Sequence, residues 1–351
     1  MSKFDQNMTI QTTFREKDIR FYSANSEYVS LHGVWYENGT YRRMPKDVAK
    51  TISHGVLYGH ALPAGGRVRF VTDSDFVAVH VEYGTVENSP KFPVAATAGI
   101  DVYEKNDGID MHVGAFAPPL DMGDIYESDM KLLGKGEREI TLYLPLYSEV
   151  KALYIGVKEN AIMKQAPAYT HKKPVVYYGS SITHGACASR PGNTYEAMIM
   201  RDLDCDYVCL GFGGNAKGEP EMANYIASLE MSVFVLDYDY NAPNAEHLKN
   251  THKNMFETIR KAQPTTPIII VSRPKALDKA EQLRFDVVKA TYDEAIAKGD
   301  ANVYFIPGYE LIPEEVMESA KVDRVHPNDL GFYYMKKRIG KTLESILNHA
   351  K

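Results

Sequence analysis

Four short blocks in the C-terminal half of the chain carry residues able to do chemistry together: Gly179-Ser180-Ser181, Gly211-Phe212-Gly213-Gly214, Asp239-Tyr240-Asn241 and Asp323-Arg324-Val325-His326. A serine hydroxyl is a weak nucleophile until a base takes its proton, and a histidine base needs an acceptor that fixes its tautomer and steadies its cation. Ser181, His326 and Asp323 offer those roles. Attack on a carbonyl creates an oxyanion, which must meet donors aimed at it. The backbone N–H groups of Ser181 and Gly214 and the side-chain amide of Asn241 are candidates, and glycine at 214 permits close backbone approach. His326 precedes Pro327, which pushes its backbone out of the helical region, so a loop histidine is expected with Pro327 opening the final helix.

Such loops need a frame that brings them to one place. From Pro174 onward apolar runs alternate with helical stretches. The runs are Val175 to Tyr178, Tyr207 to Leu210, Val233 to Leu236, Ile268 to Val271 and Val303 to Ile306. Helices are predicted at Ala245 to Ala262, Gln282 to Ala297 and from about Pro327 to Asn348. This alternation predicts a parallel sheet covered on both faces, because the crossover helices must pack against it. A strand order of 2-1-3-4-5 would place the loops after strands one and three at the switch point, with Ser181 facing Asn241. Before Pro174 the pattern differs: Val77, Val79, Val81 and Tyr83 alternate, as do Ile140, Leu142 and Leu144, and Leu153, Ile155 and Val157. Short alternating strands of this kind predict an all-β sandwich or jelly roll. The expected division is a β domain over residues 1–165, a linker over 166–173 and an α/β domain over 174–351.

In their order and placement the four blocks resemble those of the SGNH, or GDSL-like, hydrolases, whose serine lies in a Gly-Asp-Ser block and whose histidine follows an aspartate as Asp-x-x-His. The resemblance covers residues 174–351. It implies that Ser181 is the nucleophile, that Gly214 and Asn241 are oxyanion-hole donors, and that Asp323 and His326 complete the triad. Ser180 stands where the family has its aspartate, a position that performs no chemistry. The segments Arg69 to Ser74 and Ile140 to Tyr147 are similar to the jelly-roll domain that precedes the SGNH domain in certain carbohydrate acetyl-esterases and related acyl-transfer enzymes. The implied fold is a three-layer, flavodoxin-like α/β hydrolase domain behind an all-β jelly roll. The implied activity is serine carboxylic-ester hydrolysis, removing short acyl groups, acetyl foremost, from O-acylated sugars. Acyl transfer and short-chain lipase chemistry are alternatives on the same triad. Trp35, beside Tyr36 and Tyr41, and Tyr240 and Arg273 at strand ends are the candidates for substrate contact.

Each residue also has a plainer reading. A serine after a strand, or an asparagine before a helix, commonly caps that helix, and an aspartate commonly makes a surface turn. An aromatic cluster in a β domain is more often core. Gly211-x-Gly213-x-x-Ala216 after a strand, with Asp237 ending the next, approaches a dinucleotide fingerprint. That fingerprint belongs to the first strand of its unit, however, and it leaves Asn241 and His326 unexplained. A non-catalytic carbohydrate-binding protein should have lost one of Ser181, Asn241 or His326, and all remain.

Composition narrows the partners. A formal net charge of -6 gives no broad attraction to nucleic acid. The three cysteines, Cys187, Cys205 and Cys209, read as free thiols rather than a disulfide or zinc framework, and no metal or other cofactor is expected, since the triad suffices. The expected partner is a small-molecule or oligosaccharide acyl ester, and a homo-oligomer is compatible with the sequence. No apolar run approaches the roughly 20 residues of a membrane span. Met1 to Asn7 develop no leader-like apolar stretch, so a cytoplasmic location is expected.

Overall fold

The alternating segments of the N-terminal half form two antiparallel sheets. One orders Ile19–Ser23, Ser148–Lys158, Phe76–Val86 and Ile125–Lys131. The other orders Lys164–Gln165, Arg67–Thr72, Arg138–Tyr143, Ile100–Asn106 and Ile109–Phe116, with Ser30–His32 also paired to Arg67–Thr72. Period-two alternation sends Val77, Val79, Val81, Leu153, Ile155 and Val157 from the first sheet, and Val68, Phe70, Ile140 and Leu142 from the second, into one shared core. The computed structural model describes residues 12–14, 18–87, 89–274 and 279–349. Met1 to Asn7, read above for a leader, lie outside the described residues.

The C-terminal half is a five-stranded parallel sheet whose spatial order places Cys205–Gly211 at one edge, then His171–Gly179, Val233–Asp237, Ile268–Val271 and Val303–Ile306. This is the expected 2-1-3-4-5 order. Its strands are apolar along their central stretches because both faces are covered. On one side Tyr177, Val235 and Ile269 meet Phe332, Met335 and Ile339 of the last helix. On the other, Leu210, Leu236 and Ile270 meet Leu248, Met255 and Phe256 of the helix Ala245–Ala262.

Two boundaries differ from expectation. The first strand of the sheet begins at His171 rather than Val175, so His171 to Lys173 extend it as a polar, partly exposed end. The last helix begins at Asp329 rather than Pro327. Asn328 caps it instead, its Oδ1 accepting from Leu330 N at 3.0 Å and Gly331 N at 3.3 Å. A side chain that can satisfy orphan N–H groups outcompetes a proline for setting the helix start.

The two halves share cores. Leu62, Ala64, Leu146 and Tyr147 of the β region pack with Ile182, Ala186 and Val175 of the sheet region. Arg43 is fully buried at this junction and donates to Gly211 O at 2.8 Å, Gly59 O at 2.6 Å and Cys209 O at 3.2 Å. Its guanidinium also lies 4.8 Å from the Phe212 ring centroid. The β region is thereby fastened to the loop that carries Gly213 and Gly214.

Candidate active site

Strand His171–Gly179 ends at a sharp turn into the one-turn helix Ser181–His184. Ser180, not Ser181, caps this helix, its Oγ accepting from Ile182 N at 3.2 Å. The capping role is thus filled by the neighbour, which leaves the Ser181 hydroxyl for another partner. That partner is His326: Ser181 Oγ lies 2.9 Å from His326 Nε2.

The histidine sits on a loop held at several points. Val322 N donates to His326 O at 2.9 Å, and Asn328 N to Ala320 O at 3.0 Å. Asp323 accepts from the backbone N–H groups of Val325 and His326, both at 2.8 Å. It is therefore the turn residue of the plainer reading, yet its Oδ2 also lies 3.0 Å from His326 Nδ1. Partial burial raises its carboxyl, but the His326 backbone and ring, Lys91 and the Val325 backbone together outweigh that and hold it well below the usual carboxylate range. An ionised acceptor on Nδ1 leaves Nε2 to face the serine, which is the tautomer a general base requires.

The second and third blocks converge on the same point. A Cβ at Gly213 would lie 3.5 Å from Ser181 Cβ, so this loop runs beside Ser181. Gly214 has a left-handed φ of 70° and open space where a Cβ would be, as an approach to a ligand demands. Asn241 ends a short turn after strand Val233–Asp237, and its Nδ2 donates to Phe212 O at 2.8 Å. It does not cap the following helix, a task done by Asn244, whose Oδ1 accepts from His247 N at 2.8 Å.

The glycines that suggested a dinucleotide site have another use. A Cβ at Gly211 would lie 2.3 Å from His184 N and 2.6 Å from Thr183 C, so this glycine lets the helix Ser181–His184 rest on the strand. Asp237 is buried against Thr183 rather than open to a ribose, with Thr183 Oγ1 3.4 Å from its Oδ2.

The substrate-contact candidates are engaged in packing. Trp35 is half-buried against the core that contains Met44, Phe212 and Ala216. The Arg273 guanidinium ion-pairs with Glu281 and lies 5.2 Å from the Tyr240 ring centroid. None of these three is brought into hydrogen-bond contact with Ser181 or His326 among the described residues. The β region instead supplies residues that the sequence reading missed. Lys91 Nζ lies 2.9 Å from Asp323 Oδ2. Phe92 stacks on Tyr147 at 4.9 Å, and Tyr147 stacks on His184 at 4.0 Å between centroids. His184 Nε2 donates to Leu146 O at 2.7 Å, and burial, aided by Arg43, depresses its proton affinity far below the usual range. It is a neutral packing histidine. No signal marked these residues, because Lys91 and Asp323 are 232 positions apart.

All three cysteines are free and buried. Among the described residues no helix is long and apolar enough to cross a membrane.

Comparison with known proteins adds to this geometry. Residues 172–344 match the GDSL-like Lipase/Acylhydrolase family, and residues 19–163 match the N-terminal domain of SGNH-hydrolase-type esterases. Residues 172–344 belong to the GDSL-like lipase/acylhydrolase family. Membership carries the coarse activity, that of an esterase or hydrolase. Among solved structures, a protein from Bacteroides ovatus described as a GDSL-like lipase is 28% identical, covering 94% of this chain and 98% of its own, with a TM-score of 0.85. A salicylyl-acyltransferase from a tetracycline biosynthetic pathway is 21% identical over 95% and 98% of the two chains, with a TM-score of 0.78. A family two carbohydrate esterase from Clostridium thermocellum is 15% identical over 81% and 93%, with a TM-score of 0.63. The last two share the fold of this GDSL-like protein. No curated protein matches the chain.

Proposed function

We propose that this GDSL-like protein is a serine esterase that removes short acyl groups, acetyl foremost, from O-acylated carbohydrates. The observation that carries the reading is the relay from Ser181 Oγ to His326 Nε2 at 2.9 Å and from His326 Nδ1 to Asp323 Oδ2 at 3.0 Å. In the proposed reaction Ser181 Oγ attacks the ester carbonyl while His326 Nε2 takes the hydroxyl proton. The negative oxygen meets the backbone N–H groups of Ser181 and Gly214 and the Asn241 amide. His326 returns the proton to the departing alcohol oxygen. A water, deprotonated by the same nitrogen, then attacks the acyl-serine, and Nε2 passes that proton to the departing Ser181 Oγ as the acid is freed.

The carbohydrate part of the reading is supported by the shared two-domain arrangement with family two carbohydrate esterases. The test is hydrolysis of nitrophenyl esters from acetate to octanoate, followed by a panel of acetylated sugars. Fastest turnover on acetate and on at least one acetylated sugar is expected. A preference for long chains would remove the acetyl and carbohydrate parts while leaving the serine chemistry. No Ser181-dependent cleavage of any ester would remove the whole reading. Added alcohols in the same assay separate hydrolysis from acyl transfer.

A further inference from the structure

The β region sends one charged side chain to the triad. Lys91 lies in a turn closed by Phe92 N donating to Ser89 O at 3.1 Å. The adjoining ring of Phe92 is stacked on Tyr147, which is itself stacked on buried His184. This stack fixes the turn in place, so the ammonium is delivered to a set position although the lysine side chain is exposed. Lys91 Nζ is 2.9 Å from Asp323 Oδ2, the same oxygen that faces His326 Nδ1 at 3.0 Å. Asp323 Oδ1 accepts from the Val325 and His326 backbone N–H groups and lies 3.2 Å from His326 Nδ1 as well. One carboxylate therefore serves two cations whenever His326 is protonated.

We propose that Lys91 is a positioning residue which, through the carboxylate it shares with His326, makes the protonated histidine easier to discharge and so extends the enzyme's activity to lower pH. The inference rests on reading Ser181, His326 and Asp323 as the triad. A carboxylate already paired with an ammonium stabilises an imidazolium less, and the two cations, held on the same carboxylate, repel each other.

Other charged and titratable groups lie near the pair. Cys187 on the loop after the nucleophile helix has its thiol pushed up to about 11, by burial and then by Asp323, so it is uncharged in the neutral range. Arg324 adjoins the aspartate, and Glu314, Glu318 and Lys321 line the groove beside it. Lys321 Nζ is bonded to Pro274 O at 2.8 Å. Among the described residues, the ion pairs of Asp323 are with Lys91 and His326.

The test is the pH dependence of kcat/KM on an activated acetate ester for the full-length wild type, Lys91→Met, Lys91→Gln and Lys91→Arg, at about 0.05 M and about 1 M salt. At low salt the neutral variants should move the acid limb upward by about 0.5 to 1 pH unit, as a cation at this distance in a mostly aqueous setting requires. Lys91→Arg should keep the limb near that of the wild type. At about 1 M salt, where screening falls to about 3 Å, the gap should mostly close. An acid limb unmoved in both folded neutral variants, even with lowered melting temperature, overturns the proposal and leaves Lys91 a structural tether. A limb moved as far by Lys91→Arg also overturns it. Failure of the triad itself shows differently, as near wild-type turnover in His326→Ala.

Discussion

Asn241 offers a test of the oxyanion hole in which structure and chemistry separate cleanly. One N–H of its amide is used on Phe212 O at 2.8 Å, which holds the amide plane and leaves the second N–H for the developing oxyanion. Asn241→Ala removes both. Loss of an oxyanion donor should lower kcat by roughly 10²- to 10³-fold, about 3 to 4 kcal/mol of barrier. Loss of the tether to Phe212 should cost about 1 kcal/mol of folding stability, read separately by denaturant titration. KM should change little, since the interaction forms only in the transition state. Asn241→Asp keeps the size but has no N–H and sets a carboxylate against the Phe212 carbonyl and the incoming oxyanion. It should therefore be slower than Asn241→Ala. Turnover on nitrophenyl acetate, with circular dichroism to confirm folding, decides the matter. An Ala variant within about threefold of wild type, or an Asp variant faster than Ala, would refute the assignment, since a single removed donor is worth far more than that.

Three further outcomes follow from the packing. Arg43→Met strips the charged donor from Gly211 O, Gly59 O and Cys209 O and should cost roughly 3 kcal/mol in denaturant unfolding; a loss below about 1 kcal/mol would mean that the junction does not depend on it. Gly211→Ala places a Cβ 2.3 Å from His184 N, so stability should fall by about 1 to 3 kcal/mol and kcat should fall with it as Ser181 shifts; a stable, fully active variant contradicts that packing. Glu196 is buried, and burial raises its pKa well above the usual value, outweighing the opposing hydrogen bonds from its own backbone, Tyr195 and Thr194. The folded state then keeps a proton that the unfolded state has lost, so stability falls as pH rises above the ordinary carboxyl range, by up to about 1.4 kcal/mol per unit. Glu196→Gln should show a shallower decline in melting temperature from about pH 5 to about pH 9, and equal slopes would contradict the account.

What the sequence made legible follows from where each signal resides. Parallel strands covered by helices are apolar along their length, so Ile268–Val271 and the edge strand Val303–Ile306 read as unbroken apolar runs and were located end to end. The helix Ala245–Ala262 was equally plain, framed by its Asn244 cap. The start of the first strand was not, because His171 to Lys173 pair with no apolar pattern to mark them. Ser181, Asp323 and His326 were legible because each lies in a short block tied to a strand end. Lys91, Phe92 and Tyr147 were not, since their approach depends on how one domain folds onto the other. Trp35 misled for a related reason: an aromatic ring is equally able to stack on a ligand or to fill a core, and here Phe212 and Ala216 take it into a core.

The most direct test of the central claim is covalent labelling by a serine-directed phosphonate probe, read by intact mass and peptide mapping, beside ester turnover. The account predicts one label per chain, on Ser181, slow labelling of folded His326→Ala, and neither label nor turnover above background in folded Ser181→Ala. Turnover in folded Ser181→Ala close to that of the wild type, or a label that persists there on another residue, would contradict it.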